Sequence, residues 1–569
     1  MKNVAIPRRE PYDAIVVGSG IAGGWAAKEL TEKGLKTLLV ERGRYVEHGK
    51  DYITEHKAPW EFKFRGSGER KLYDEEYEVQ RQCYAFGEAT KHFFVNDRQN
   101  PYTHDEDKPF SWIRGYHLGG RSLTWARQCY RWSNLDFEAN ARDGHGVDWP
   151  IRYADLAPWY DYVERFAGIS GQAEGLPQLP DGQFLPPMAM YCAEELFKSG
   201  VERAHPDRRV TIGRVAVLTK PHNGRSACHY CGPCERGCSA GAYFSSLSAT
   251  LPAAMATGNL TIKCDSVVHS IVYDSENDRA RGVRVIDAES LKPVEYFGKL
   301  IFLCASTLGS TQILLNSKNT RFPDGLANSS GALGHYLMDH ACGAGGSAEF
   351  PGPDDRYHHG NRPNGIYVPR FRNLSGGKQH PDFLRGYGFQ GGASRAGWGR
   401  GMSMSGFGAS FKNSLRTPGP WTMWFEGFGE MLPRYENHVA LDPAVTDAFG
   451  IPALKIHCSW SDNETEMREQ IATDAAEMLE AGGATNIQTG AGASPPGLCI
   501  HEMGTARMGR DPKTSVLNSY NQCHDVPNVF VTDGACMASS ACQNPSITYM
   551  ALTARAADFA VSEMKRGKL

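Results

Sequence analysis

The sequence lacks a charge imbalance, a repeat and a long apolar run, and each absence narrows what the chain can do. Its 61 Lys and Arg stand against 64 Asp and Glu over 569 residues, a net charge of −3. A nucleic-acid-binding surface requires clustered positive charge, so nucleic acid is excluded as the main partner. No apolar run reaches the ~18 residues of a membrane-crossing helix, and mean hydropathy is −0.44. No direct membrane span is expected. There is no 20–50-residue repeat and no low-complexity tract, so neither a repeat array nor a disordered chain is expected. Hydrophobic residues at 41% and charged residues at 22% suit a globular core. The length corresponds to three or four domain equivalents of roughly 150 residues each. Glycine is what the sequence has in excess: 62 residues, about 11% against a usual ~7%. It shows no period, so the surplus belongs to turns and close backbone approaches.

Arg8 and Arg9 precede an apolar stretch, as in a twin-arginine export signal. Asp13 interrupts that stretch, which runs into a Gly-rich turn and not into a small-residue cleavage site. The chain is therefore expected to carry no export signal of its own. By its own sequence it is cytoplasmic; export in the folded state with a partner that carries a signal would make it periplasmic. Eleven of its 15 cysteines are scattered singly, as in Leu303-Cys304-Ala305, and read as small core hydrophobes. The other four, Cys228, Cys231, Cys234 and Cys238, lie within 11 residues.

Along the chain, residues 12–17 and 36–41 read as apolar strands flanking a Gly-rich turn (18–23) and a helix (26–33). Apolar residues fill both strands, as a parallel sheet covered on both faces demands. Residues 261–287 hold two further strand patterns, expected as a β-meander. Residues 299–305 read as a buried strand and 310–317 as a helix. From about residue 349 to 437 Gly, Arg, Trp and Phe dominate, which suggests an antiparallel sheet with long loops. An amphipathic helix is expected over 462–481, a Gly-rich loop over 482–497, a strand over 529–533 and a last helix over 547–564. Both ends of the chain thus carry nucleotide-type strand–turn–helix patterns. The fold class is α/β: a discontinuous Rossmann-like nucleotide-binding domain plus an α+β substrate domain built on an antiparallel sheet.

Gly18-Ser19-Gly20-Ile21-Ala22-Gly23 fits G-x-G-x-x-G between a strand and a helix. Gly18 permits the tight turn, Gly20 lets the backbone approach a pyrophosphate, and Gly23 lets helix and strand pack closely. The helix N-terminus then turns its partial positive charge toward the phosphates. Glu41 ends the second strand, where a carboxylate accepts hydrogen bonds from a ribose diol and repels a 2′-phosphate. The loop alone does not separate FAD from NAD.

The cysteine run is C-x2-C-x2-C-x3-C, the spacing with which ferredoxin-type thiolates wrap an iron–sulfur cluster. Three cysteines would hold a [3Fe–4S] cluster and all four a [4Fe–4S] cluster. Zinc is the nearest alternative, although its usual pattern is two separated C-x2-C pairs. Disulfides in an oxidising compartment are a third reading.

Several stretches together resemble the glucose–methanol–choline (GMC) oxidoreductase family, whose members use FAD. They are the N-terminal loop with LVERG, RGYHLGGRSLTWARQCY (114–130), NLTIKCDSVVHSI (259–271), LIFLCASTLGSTQILLNS (300–317), LGHYLMDH (333–340), PGLCIHEMGTARMG (496–509) and VPNVFVTDGACMASSACQNPSITYM (526–550). These blocks span residues 12 to 560 in family order. Within the family the chain looks most like the pyranose-oxidase-like and bacterial FAD-dependent sugar or glucoside 3-dehydrogenase branch. The resemblance implies an FAD-binding domain mainly over 1–345 with an iron–sulfur insertion around 222–243, a substrate domain over 346–490, and a return over 491–569. It implies cofactor contacts at Gly120, Ser122, Val268 and Asp533 beside Gly18, Gly20, Gly23 and Glu41. Some relatives attach the flavin through a His in the Gly-Gly loop; Thr124 stands there, so FAD is expected to be non-covalent. Catalysis carries over to His501 and Asn544. Relatives in this branch that carry an inserted cysteine motif hold a [3Fe–4S] cluster, which favours that form here. They often pair with a small subunit and a c-type cytochrome.

The chemistry agrees with that assignment. Oxidising an alcohol removes a hydroxyl proton and a carbon-bound hydride. A neutral imidazole, reference pKa about 6.5, is a suitable base near neutral pH. Asn544 can hold the same hydroxyl without taking its proton. His340 and His524 read as ordinary core or surface histidines. The aromatic, Arg-, Asn- and Gln-rich middle segment suits a polyhydroxylated ring, so the substrate is expected to be a sugar or glycoside. Three functions compete: a sugar dehydrogenase with an iron–sulfur relay; a sugar oxidase whose cysteine motif is structural or holds zinc; and a non-redox lyase, for which a relay would be useless.

Overall fold

A computed structural model describes residues 11–358, 360–492 and 494–569, so Arg8 and Arg9 lie outside the described residues. The first apolar run forms β1 (Tyr12–Val17), followed by α1 (Ile21–Glu32) and β2 (Thr37–Val40). The helix starts directly after Gly20, earlier than its apolar pattern indicates, because its first turn is built from the Gly motif itself. β3 (Leu260–Lys263) adds to β2 in parallel. β4 (Ser266–Asp274) and β5 (Arg279–Asp287) form the expected antiparallel meander. The next strand, β6 (Pro293–Leu303), belongs to two pairings at once: Pro293–Phe297 continues the meander, and Gly298–Leu303 lies parallel to β1. Helix α2 (Thr307–Asn316) follows.

Alternation along these strands feeds two separate cores. Ile15, Val17, Leu38, Val40, Ile301 and Leu303 join one apolar cluster. Their neighbours Ala14, Val16, Leu39, Leu300 and Phe302 join another on the opposite face. This is why the strands read as unbroken apolar runs: no face is left for water.

The second sheet contains β7 (His340–Phe350), β8 (Ile366–Val368), β9 (Tyr387–Arg395) and β10 (Trp421–Glu430). Helix α3 (Asp462–Ala481) lies across it, and β11 (Thr485–Ala491) closes one edge. The order is β11-β7-β10-β9-β8, ending on the short strand Thr211–Ile212, and every pairing is antiparallel. Met467, Ile471, Ala475 and Met478 of the helix pack with Phe389 and Phe425, whose rings stack at 4.6 Å. A Cβ at Gly427 would run into Ile471, so the glycines in β10 let the helix settle onto the sheet. Two expectations need correction. The Gly-rich stretch 482–497 contains an edge strand, because pairing with β7 and not an apolar pattern defines it. The long strands of the sheet begin at His340, before the shift in composition, and its short edge strand Thr211–Ile212 comes from earlier still.

The chain then returns to the first sheet. β12 (Val529–Val531) pairs in parallel with β6, and α4 (Ser546–Lys565) packs back against α1. Among the described residues no helix is long and apolar enough to cross a membrane.

Candidate active site

A cavity of about 450 Å³ runs from the Gly18–Gly23 turn to His501 and Asn544. At one end Gly18 has φ +92°, and a Cβ there would strike the Cys304 carbonyl at the end of β6. Gly20 faces open space instead. Its backbone is thus free for a close approach by a ligand. Glu41 is buried, with Oε2 accepting from the Ser19 amide at 3.1 Å and Oε1 accepting from the Gly43 amide at 2.9 Å. Burial pushes its carboxyl up, against the lowering effect of those hydrogen bonds.

The second Gly loop closes over the first. The Gly119 amide donates to Ser19 Oγ at 2.9 Å, and a Cβ on Gly120 would lie 3.5 Å from the Gly20 Cα. Ser122 Oγ donates to the Gly119 carbonyl at 2.5 Å and accepts from the Ser246 amide at 3.0 Å. Thr124 and Val268 also line the cavity. Asp533 reaches it from the C-terminal return, accepting from Ser310 Oγ at 2.5 Å and from the Ala535 amide at 3.0 Å. Burial pushes its carboxyl up to about 6. Gly23 does not line the cavity; a Cβ there would strike the Gly18 carbonyl, so its part is close packing of the turn.

At the other end, Asn544 Nδ2 lies 3.3 Å from His501 Nε2. Gln390 Nε2, from β9, donates to Asn544 Oδ1 at 2.7 Å. On the far side of the imidazole, His501 Nδ1 is 3.0 Å from His340 Nδ1, and His340 Nε2 is 3.2 Å from the Ser540 carbonyl. The loop before His501 is pinned by Asp339, whose carboxylate accepts from the amides of Gly497 at 2.8 Å, Cys499 at 3.2 Å and His501 at 3.1 Å. Burial first, and the neighbouring Glu502 second, push Asp339 up to about 7. Glu502 pairs with Arg121 of the Gly-Gly loop at 2.9 Å. Burial holds His501 well below the ordinary imidazole value, with His340 and Arg121 as lesser causes in the same direction, and burial pushes His340 down to about 4. Both rings are neutral near pH 7.

His340 is a core histidine, as the sequence reading allows, and its ring meets His501. His524 lies away from the pair, with Nε2 3.2 Å from Ser515 Oγ. A correction concerns cysteine. Cys342 and Cys499 form a disulfide that lines the cavity, with Cα atoms 6.1 Å apart and a sequence separation of 157. Nothing local in either context marks the pair. Gln390 and Asp339 were also missed; Asp339 lies inside LGHYLMDH, a signal that was present without a role attached.

The cysteine loop is built differently. Cys228, Cys234 and Cys238 are half-buried against Met188, Ile212, Val215, Val217 and Tyr243, while Cys231 is exposed. Burial pushes Cys228 and Cys238 up and Cys234 to about 12. Among the described residues no three His, Cys, Asp or Glu side chains gather tightly enough to hold a metal ion, so the four thiols share a patch but not a point. Buried Arg127 joins this patch to the cavity: it lines the cavity and donates through Nη2 to Glu235 Oε1 at 3.1 Å, beside Cys234.

Comparison with known proteins agrees with this architecture. Family models described as GMC oxidoreductase match residues 12–342 and 433–553. The 2-methyl-1,2-propanediol dehydrogenase of Mycolicibacterium austroafricanum is 30% identical, over 96% of this chain and 94% of that one. The fructose dehydrogenase large subunit of Gluconobacter japonicus is 24% identical over 98% of each chain. Paromamine 6'-oxidase of Streptomyces fradiae is 26% identical over 96% of this chain and 90% of that one. Among solved structures, pyridoxine 4-oxidase from Mesorbium loti has a TM-score of 0.60 at 17% identity, covering 96% of this chain and 98% of that one. Formate oxidase of Aspergillus oryzae RIB40 has a TM-score of 0.61 at 14% identity, covering 98% and 99%. These two likenesses concern the fold.

Proposed function

Because the chain belongs to the GMC oxidoreductase family, FAD enzymes that act on the CH–OH groups of alcohols and sugars, we propose that it is a sugar or glycoside dehydrogenase with His501 as base and Asn544 as its hydroxyl-holding partner. The observation that carries this reading is the His501–Asn544 pair, 3.3 Å apart at the end of a cavity that begins at the dinucleotide turn. The residues present fit the cofactor. Gly18, Gly20 and Glu41 would hold its nucleotide portion with Val268; Gly120, Ser122 and Asp533 would hold the remainder, non-covalently with Thr124 in place of a His. When bound, FAD would supply the acceptor for the hydride of the carbinol carbon. The chain's own part is to hold the hydroxyl on Asn544, accept its proton at His501 and exclude water from the pair. Gln390, Glu426 and Gln128 in the cavity wall supply polar contacts suited to a polyol ring, and the names of the fructose and paromamine relatives favour a sugar.

In this reading Cys228, Cys231, Cys234 and Cys238 would hold an iron–sulfur cluster, [3Fe–4S] favoured, that passes electrons singly to an outside carrier. The donor chemistry fits: four thiols at C-x2-C-x2-C-x3-C spacing match the ferredoxin-type run and not the two separated pairs usual for zinc. Arg127, which reaches from the cavity to the cysteine patch, supports a relay there. A small subunit and a c-type cytochrome are the proposed partners, in keeping with the fructose dehydrogenase relative being named as a large subunit. The cavity disulfide favours the periplasmic over the cytoplasmic reading.

Anaerobic stopped-flow mixing with a sugar and glycoside panel tests the proposal: flavin bleaching by at least one sugar, with electrons delivered to cytochrome c and little hydrogen peroxide under air. The second reading, a sugar oxidase, is favoured by thiols that do not converge and by the paromamine oxidase relative. Peroxide released in step with sugar oxidised would establish it.

A further inference from the structure

We propose that His340 and Gln390 are positioning residues that fix the protons of the His501–Asn544 pair, leaving the cavity-facing nitrogen of His501 bare. This deepens the reading of His501 as base and rests on it. The argument is a count of donors and acceptors taken from two ends. At one end, the Ser540 carbonyl can only accept, so His340 Nε2 must carry a proton to meet it at 3.2 Å. His340 is buried and neutral, so its Nδ1 is then a lone pair. The contact at 3.0 Å between the two Nδ1 atoms needs a donor, which is His501 Nδ1–H. Neutral His501 therefore has no proton on Nε2.

With the amide orientations of Gln390 and Asn544 in the structure, the other end gives the same answer. Gln390 Nε2 donates to Asn544 Oδ1 at 2.7 Å, which turns the Asn544 amide so that its Nδ2 faces His501. An amide NH2 only donates, so Nε2 of His501, 3.3 Å away, must accept. The two chains of bonds come from different elements, β7 and the 540 segment on one side and β9 on the other. They agree on one pattern. An isolated imidazole populates both tautomers, and only one of them can take a proton at the cavity face. During the reaction the substrate O–H bond breaks and a His501 Nε2–H bond forms. His340 then holds the Nδ1–H of the cationic ring, but the line ends at a peptide carbonyl. The proton cannot leave that way and must exit through the cavity.

The first test needs no variant. Spectra of the wild-type holoenzyme labelled with 15N-histidine, with His501 assigned by loss of its signals in His501→Gln, distinguish bare from protonated ring nitrogens. A bare Nε2 is expected; a protonated Nε2 overturns the proposal. The second test compares His340→Gln with His340→Leu in anaerobic flavin reduction by the sugar that bleaches the wild type. Glutamine can accept from His501 and donate to Ser540, so it should stay within about tenfold of wild type. Leucine removes the acceptor and should slow reduction by about 100-fold, the lower end of what general-base catalysis supplies, with the apparent substrate Kd little changed. Equal rates in the two variants, fast or slow, overturn the proposal; if neither variant folds, the wild-type spectra decide. His501→Ala separates the two readings. If it still bleaches at the wild-type rate, His501 is not the base, whatever the spectra show of its tautomer.

Discussion

The His501 end of the cavity and the cysteine loop both concentrate reactive side chains, and they are finished in opposite ways. Around His501 the polar partners come from distant segments: His340, Gln390, Asp339 and Asn544 meet across gaps of 43 to 162 positions. The cysteine loop is local in sequence, half-exposed, and its thiols rest on an apolar patch without converging. On the proposed function the His501 end would transfer a proton, and such a site must be completed by the protein, because a buried imidazole or amide without a partner costs about 1–3 kcal/mol. A metal site takes part of its order from the metal, since ligand deprotonation and binding are coupled. On the proposed cluster reading, Cys234, whose thiol burial pushes up, would become a thiolate only as iron binds.

That contrast can be broken most severely at Cys234. Cys234→Ser should remove the iron signal in electron paramagnetic resonance and abolish reduction of an external carrier, yet leave single-turnover bleaching of the flavin by sugar intact. Loss of bleaching with FAD still bound would show that the two regions are one site. Next in size, His501→Ala should lower the anaerobic reduction rate by roughly 10²–10⁴ while FAD and iron contents stay at wild-type levels; stopped-flow absorbance and metal analysis read both. Asn544→Ala removes one hydrogen bond to the hydroxyl and should cost about tenfold in the same rate. The smallest effect is on pH. Burial, then His340 and Arg121, depress His501, with Glu502 facing Arg121 and Asp339 beneath the loop. A depressed pKa keeps the ring neutral and able to accept a proton to lower pH, and activity is lost only as pH falls through that value. The reduction rate should therefore stay flat from neutrality down through pH 6.5, and an acid limb above 6.5 would contradict the burial argument.

Much of the nucleotide half was legible in the sequence. β1, the Gly turn, the meander and the buried strand β6 are each marked by apolar runs or by glycine spacing within one element. Glu41 could be placed because it sits at a fixed distance along a strand. His501 and Asn544, singled out by their surrounding motifs, are brought within 3.3 Å of each other by the fold. β11 escaped because TNIQTGA is polar and exposed and becomes a strand only by pairing with β7. Cys342 and Cys499 escaped because a disulfide between them depends on strand β7 meeting the loop before His501 at the cavity wall. Gln390 sits in a Gly-rich strand with no feature to distinguish it from other buried glutamines.

By itself, then, the amino-acid order determined a nucleotide-type sheet, a Gly turn with an acidic strand end, an imidazole in a recognisable segment and four clustered thiols. Such features are periodic or contiguous, and periodicity is a property of one element at a time. Only the tertiary structure decided that β7 delivers His340 to one edge of the imidazole while β9 delivers Gln390 to the amide facing the other. It also decided that Cys342 joins Cys499. The register of one strand against another and the crossing of one sheet over another depend on packing the whole core, so the proton pattern at His501 is a consequence of the fold and not of its own segment.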